Sequence, residues 1–185
     1  MELTKKQTEE FKNKIEEAGK DFLSLCEIAG ALIEANDNEW AKKIYKEAEA
    51  NSDYCYQYCN LAESICKRIG DKEWGKKLYK KAEKNAEYEG DFRDLADGIS
   101  KHLADKKFLK EVYKKWEDNA EYGDDILYLA DSICEQLDDK EWGKKLYKKV
   151  ENIFENSDEC LNLANSICER LGDKEWGKKI YKQIE

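Results

Sequence analysis

The chain has 185 residues, no proline, 41% charged residues and a formal net charge of −9. It therefore lacks the residue that most forcefully breaks helices, and its bulk charge opposes nucleic-acid binding, so no nucleic-acid partner is expected. An aromatic content of 11% argues against disorder, and no apolar run approaches the ~18 residues of a membrane span.

Residues 1–20 carry a charged, helix-periodic pattern in which Phe11 and Ile15 are the apolar residues of the helix expected from about Thr4 to Ala18. That pattern has no signal-peptide core, and it predicts a degenerate repeat helix serving as an N-terminal cap. With no export signal, the seven cysteines read as reduced thiols in a cytoplasmic setting.

From residue 21 onward the chain repeats itself. The segments DNEWAKKIYKEAE, DKEWGKKLYKKAE, DKKFLKEVYKKWE, DKEWGKKLYKKVE and DKEWGKKIYKQIE begin at Asp37, Asp71, Asp105, Asp139 and Asp173. They place Trp40, Trp74, Phe108, Trp142 and Trp176 in one column, each 34 residues after the last. Each aspartate stands where an N-cap belongs, accepting hydrogen bonds from unsatisfied backbone N–H groups at the positive end of the helix dipole. After it, Trp74, Leu78 and Ala82 recur at i, i+4 and i+8 with Gly75 and Tyr79 beside them, which is one apolar stripe. Lys76, Lys77, Lys80 and Lys81 fill the opposite side, and such a lysine face is ordinarily a solvated one.

A second block precedes each of these: LAESICKRIG from Leu61, LADGISKHLA from Leu95, LADSICEQLD from Leu129 and LANSICERLG from Leu163. The earlier version, IAGALIEAN from Ile28, fits with one residue deleted in the turn. Tyr58, Leu61, Ala62, Ile65 and Ile69 make its apolar stripe. The turn ends in Gly70 or Gly172, suited to a left-handed backbone, or in Asn36, Asp138 and Ala104, which suit it progressively less. The final segment, 173–185, is a lone helix that reads as a C-terminal cap. The pattern predicts an all-α fold: an α-solenoid of antiparallel helix pairs in 34-residue repeats, forming a single domain with repeats over 21–172 between the two caps. One pair cannot bury its apolar face alone, so each leans on its neighbours.

These residues resemble the tetratricopeptide and Sel1-like helical repeats. From Gly70, Gly75 stands at that family's small residue of the second helix, Tyr79 at its aromatic and Ala82 at its second alanine; Gly172, Gly177 and Tyr181 repeat this, and Leu61–Ala62 resembles its Leu-Gly pair. The resemblance covers residues 21–185. The first helix has one residue more between Leu61 and Gly70 than the family has, the tryptophan opens the second helix instead of the first, and the closing proline is absent. The resemblance implies a right-handed superhelix whose first helices line a concave, partner-binding surface. Its candidates are Tyr56, Cys59 and Glu63; Arg93, Asp97 and Lys101; Asp124, Leu127, Asp131 and Glu135; and Asp158, Leu161, Asn165 and Glu169. That face is acidic toward the C-terminus, which points to a protein or peptide partner with a basic patch.

The expected function is therefore a non-enzymatic adaptor or scaffold. The alternatives are an immunity-type inhibitor of a basic toxin or nuclease, and cysteine-based metal binding. For the last, Cys55, Cys59 and Cys66 project within about 40° of one another on a helix, a line that suits a soft metal, although free cysteine also packs as a small apolar residue. No cofactor is called for. No catalytic set is expected either: GDKEWGKK lacks the spacing of a phosphate loop, and the single histidine, His102, is expected on an exposed side of its helix with no nucleophile to activate. In the third copy Trp116 replaces a small residue, Leu109 replaces glycine or alanine and Gly98 replaces serine, which reads as volume compensation, with a ligand-facing Trp116 as the alternative.

Overall fold

A computed structural model describes residues 3–154 and 156–184; Met1, Glu2, Glu155 and Glu185, which fall in the expected caps and the last connection, lie outside them. Among the described residues the chain is all helical, with helices packed in neighbouring pairs. They are α1 (Lys5–Ala18), α2 (Phe22–Glu34), α3 (Asn38–Ala50), α4 (Cys55–Ser64), α5 (Lys72–Lys84), α6 (Glu89–His102), α7 (Lys106–Asn119), α8 (Gly123–Ser132), α9 (Lys140–Glu151), α10 (Ser157–Ser166) and α11 (Lys174–Ile184). The chain divides into two compact units, 1–104 and 105–185. In the first, α2 packs on α3, α4 on α5, and α6 on both α4 and α5, with α1 resting on α2. In the second, α8 packs on α9 and α10 on α11, with α7 against α8 and α9 against α10.

Local chemistry explains where the helices start. The five aspartates of the repeated segment cap α3, α5, α7, α9 and α11: their side chains accept from the backbone N–H of Trp40, Trp74, Phe108, Trp142 and Trp176 at 3.0, 2.9, 3.0, 3.1 and 3.0 Å. Two of the first helices, α4 and α6, use a reversed device, whereas α2 and α10 are capped in the ordinary way by Asp21 and Asn156. Gln57 Oε1 accepts from Asp53 N and Tyr54 N, and Asp91 Oδ2 from Glu87 N and Tyr88 N, so the N3 side chain reaches back to the entering backbone. Thr4 and Gln7 form a full capping box at α1.

The extra residue of the first helices has a definite home. α4, α8 and α10 each end in one π-helical turn, over Ile65–Ile69, Ile133–Leu137 and Ile167–Leu171. Gly70 N–H reaches back five residues to Ile65 O at 3.0 Å. Such wide turns absorb a single inserted residue. α2, the copy that is one residue short, has no π turn and closes instead with Asp37 N–H on Leu32 O and Asn36 N–H on Ile33 O, the paired bonds of a Schellman ending. The residue after each turn is left-handed: Gly70 at φ 78° and Gly172 at 75°, but also Asn36 at 64°, Asp138 at 57° and Ala104 at 53°.

The core follows the two stripes. Leu61, Ala62 and Ile65 of α4 and its turn, and Leu78, Tyr79 and Ala82 of α5, are buried; Leu129, Ala130, Ile133, Leu146, Tyr147 and Val150 repeat this in the second unit. Glycine keeps the pairs close. A β-carbon on Gly75 would lie 2.2 Å from Cys66 Sγ, on Gly143 2.2 Å from Cys134 Sγ, and on Gly177 2.3 Å from Cys168 Sγ. Cysteine and glycine columns are thus complementary in volume, and the copy that carries Leu109 in the glycine column carries Ser100 in the cysteine column.

The tryptophan column ties consecutive second helices together. Trp74 Nε1 donates to Glu49 at 2.9 Å, Trp142 Nε1 to Glu117 at 2.8 Å and Trp176 Nε1 to Glu151 at 3.0 Å. A bond of this charged kind is worth about 1.5–3 kcal/mol. Lysines of the preceding helix complete the clasp. Lys110 Nζ lies 5.5 Å from the Trp142 ring centroid and 3.1 Å from the capping Asp139; Lys144 lies 6.0 Å from the Trp176 centroid and 3.9 Å from Asp173. The lysine face is therefore not only solvated, as its pattern predicts: Lys110 and Lys144 grip the next repeat. Trp40 meets Phe11 of α1 instead, edge to face at 5.9 Å, although no side chain of α1 is buried.

Candidate binding clefts between the first helices

Clefts open between successive first helices within each unit. In the second unit a cleft of about 330 Å³ between α8 and α10 is lined by Asp124, Leu127, Tyr128, Asp131, Asn162, Asn165, Ser166 and Glu169. Of the candidates read from the sequence, Asp124, Leu127, Asp131, Asn165 and Glu169 come together here. Glu135 pairs with Arg170 at 3.1 Å, while Asp158 and Leu161 are exposed on α10. Asp131 sits half-buried, accepting from Tyr147 Oη at 2.6 Å and from Ser166 Oγ at 3.0 Å. Burial raises its carboxyl above the ordinary range and these hydrogen bonds oppose the shift. One repeat later, Tyr181 Oη makes the same bond to Asn165 at 2.6 Å.

In the first unit a cavity of about 220 Å³ between α4 and α6 is lined by Cys59, Asn60, Glu63, Tyr79, Asp94, Asp97, Gly98, Lys101 and His102. The candidates Cys59, Glu63, Asp97 and Lys101 meet here. Glu63 pairs with Lys67, which holds its carboxyl below the usual range. Asp94 is held high by burial and by the charges of Asp97 and Asp91. The two remaining candidates of this unit, Tyr56 and Arg93, do not line it; Tyr56 is exposed and stacks on Tyr54 at 5.9 Å.

Several expectations need correction. Cys59 and Leu127 are buried, 7% and 8% exposed, because they form cleft floors and not an open face. His102 is not on an exposed side: its side chain is 8% exposed, its Nε2 lies 3.8 Å from Glu63, and burial lowers its basicity. Trp116 does not face a ligand. It is 1% exposed, packed between Tyr113 and Tyr128 at 6.2 and 5.8 Å. Gly98 does not compensate for it; a β-carbon there would come 2.6 Å from the ring and hydroxyl of Tyr79.

The cysteine stripe has no metal geometry: among the described residues no three His, Cys, Asp or Glu side chains converge to hold an ion. Cys66 lies under Gly75 while Cys55 and Cys59 are buried together, and Cys55 with burial holds the Cys59 thiol protonated far above its usual range. Burial likewise pushes Cys26 up to about 11. Thiols in such surroundings are inert.

Two features lie beyond the candidate face read from the sequence. α2 contributes to a further cleft, of about 560 Å³, where Leu23, Cys26, Glu27, Gly30 and Glu34 face Asn60, Glu63, Lys67 and Arg68. Arg68 lies over Gly30 and 3.5 Å from Glu34. The deleted residue hid this copy's register. Tyr54, Tyr88 and Tyr122 stand at the entrances of α4, α6 and α8 and are 63%, 74% and 70% exposed. Their 34-residue spacing is the signal that could have found them.

No helix among the described residues is long and apolar enough to cross a membrane. No family model matches the chain, and neither a curated protein nor a solved structure is significantly similar to it.

Proposed function

We propose that the chain is a non-enzymatic protein-binding module, a solenoid of the tetratricopeptide-like kind, that takes a basic segment of a partner in the clefts between its first helices. The observation that carries this is the α8/α10 cleft. Five of the residues that the family resemblance implies line it together, and Asp124, Asp131 and Glu169 make it acidic. Lysines dominate the exposed side of the second helices, as Lys145, Lys148 and Lys149 do on α9. Opposite charges on the two helices of a pair steer a basic partner toward one face and away from the other.

The test is charge reversal at exposed cleft residues. Partners captured with the wild-type chain are identified by mass spectrometry. Each is then measured against Asp124→Lys/Glu169→Lys and against Lys148→Glu/Lys149→Glu, with circular dichroism as the folding control. The cleft reversal is expected to weaken binding at least tenfold, with a salt dependence that disappears, while the lysine reversal leaves it unchanged. A partner indifferent to the cleft reversal sinks the reading.

A further inference from the structure

Within the α4/α6 cavity two polar atoms are buried without a hydrogen-bond partner: Tyr79 Oη and His102 Nε2. Both side chains are more than nine-tenths buried, at 0% and 8% exposed, and both line the cavity. Burying such groups without partners is costly, so each calls for an explanation. The repeat supplies the contrast. Tyr147 and Tyr181 give their hydroxyls to the residue sixteen positions earlier. The residue in that place before Tyr79 is Glu63, and it is engaged with Lys67 instead. Tyr79 leans over Gly98, whose missing side chain is what admits the ring.

The lining is rich in acceptors. Glu63, Asp94 and Asp97 are carboxylates, and a hydroxyl oxygen and an uncharged imidazole nitrogen can each accept as well. Lys101 is the one lysine among the lining residues. The cavity of about 220 Å³ falls below the ~300 Å³ at which small-molecule sites begin, so it suits a single side-chain-sized group. A guanidinium asks for a flat carboxylate fork. Single-point acceptors on the floor with carboxylates around them suit a compact ammonium with three donors.

We propose that the α4/α6 cavity is a pocket for a primary ammonium on an alkyl stem, with Tyr79 Oη and His102 Nε2 as floor acceptors and Asp94 and Asp97 supplying the charge. It deepens the reading above by naming the group of a basic partner that this cleft takes. A lysine side chain and a free diamine share that chemistry.

His102 is the only histidine, so its ring signals in NMR report the cavity without assignment ambiguity. The full chain is titrated into the millimolar range with Nα-acetyl-lysine-N-methylamide, its norleucine and arginine counterparts, and cadaverine. A saturable His102 shift with the lysine compound, absent with norleucine, is expected. Tyr79→Phe should weaken it about tenfold, the loss of one hydrogen bond to a charged group, and Gly98→Ala, which displaces the same hydroxyl, should weaken it similarly. Tighter binding of blocked lysine than of cadaverine assigns the pocket to a partner's side chain, and the reverse order assigns it to a free diamine; both sustain it. No lysine-specific shift, tighter binding of the arginine compound, or an unaltered Tyr79→Phe overturns it. Those results leave the α8/α10 cleft untouched, because its charge reversals are read in the other unit.

Discussion

The α4/α6 and α8/α10 clefts are built from the same repeat columns and differ in how one tyrosine is satisfied. Tyr147 donates to Asp131, which Ser166 also holds, so the α8/α10 floor is a closed network, with the exposed carboxylates of Asp124 and Glu169 beside it. Tyr79 lacks such a bond and turns across Gly98 into a cavity where His102 Nε2 also has no hydrogen-bond partner. The core beneath is common to both, with the cysteine of the wide turn filling the gap over glycine. The difference teaches that the two pairs keep the same packing columns and vary the polar residues facing the cleft, so the two clefts acquire unlike chemistry over like cores.

The largest effect tests what the two clefts share. Gly75→Leu and Gly143→Leu should each destabilise by about 3 kcal/mol, the upper range for overpacking, measured by urea unfolding. Adding Cys134→Ser to Gly143→Leu, the pairing that Ser100 and Leu109 display, should recover about 1 kcal/mol as coupling between the sites. Strictly additive losses would break the claim that these columns trade volume.

Next come the tyrosines, where the clefts should part. Asp131→Ala strands a buried hydroxyl and should cost about 1–3 kcal/mol. Asp131→Asn should be nearly neutral, because Asn165 makes the equivalent bond to Tyr181. Tyr147→Phe should cost about 1 kcal/mol, whereas Tyr79→Phe should cost nothing or stabilise slightly. Equal losses for the two tyrosines would erase the distinction between the clefts.

The smallest effect is a pH slope. Burial depresses His102 below its ordinary value of 6.5, against the pull of Glu63. The unfolded chain therefore binds the proton more readily than the folded one. The contribution of neutral His102 is complete above pH 6.5 and is lost as pH falls through the lower folded value. Its NMR titration should fall below 6.5, and His102→Gln should flatten the stability slope in that window. A midpoint at 6.5 would place the ring in water, and one above it would mean that the Glu63 carboxylate outweighs burial.

What could be read from the sequence was what is local. An aspartate cap needs only its own helix, and all five stand where the column of aspartates puts them. The left-handed turn residues were equally legible, down to the ill-suited Ala104. Much of the α8/α10 cleft was legible too, because repeat phase together with the resemblance to helical repeats aligned Asp124, Leu127, Asp131, Asn165 and Glu169. Interactions across repeats were not. The Trp–Glu bond joins residues 25 apart, and nothing in helical periodicity relates such positions. His102 escaped because its burial comes from α4, on another helix pair, and Gly98 because the side chain it makes room for is Tyr79 of the preceding pair.

The π turns carry a consequence for how such a chain can change length. An extra residue in an ordinary helix swings everything after it by about 100°, which would pull either the seam or the cleft face out of alignment. Here the slack is taken up within five residues, at Ile65–Ile69, Ile133–Leu137 and Ile167–Leu171, and α2 shows the joint with the link removed. These three hairpins thus carry a joint of adjustable length beside a cleft, where an insertion or deletion can be absorbed while the stacking beneath stays in phase.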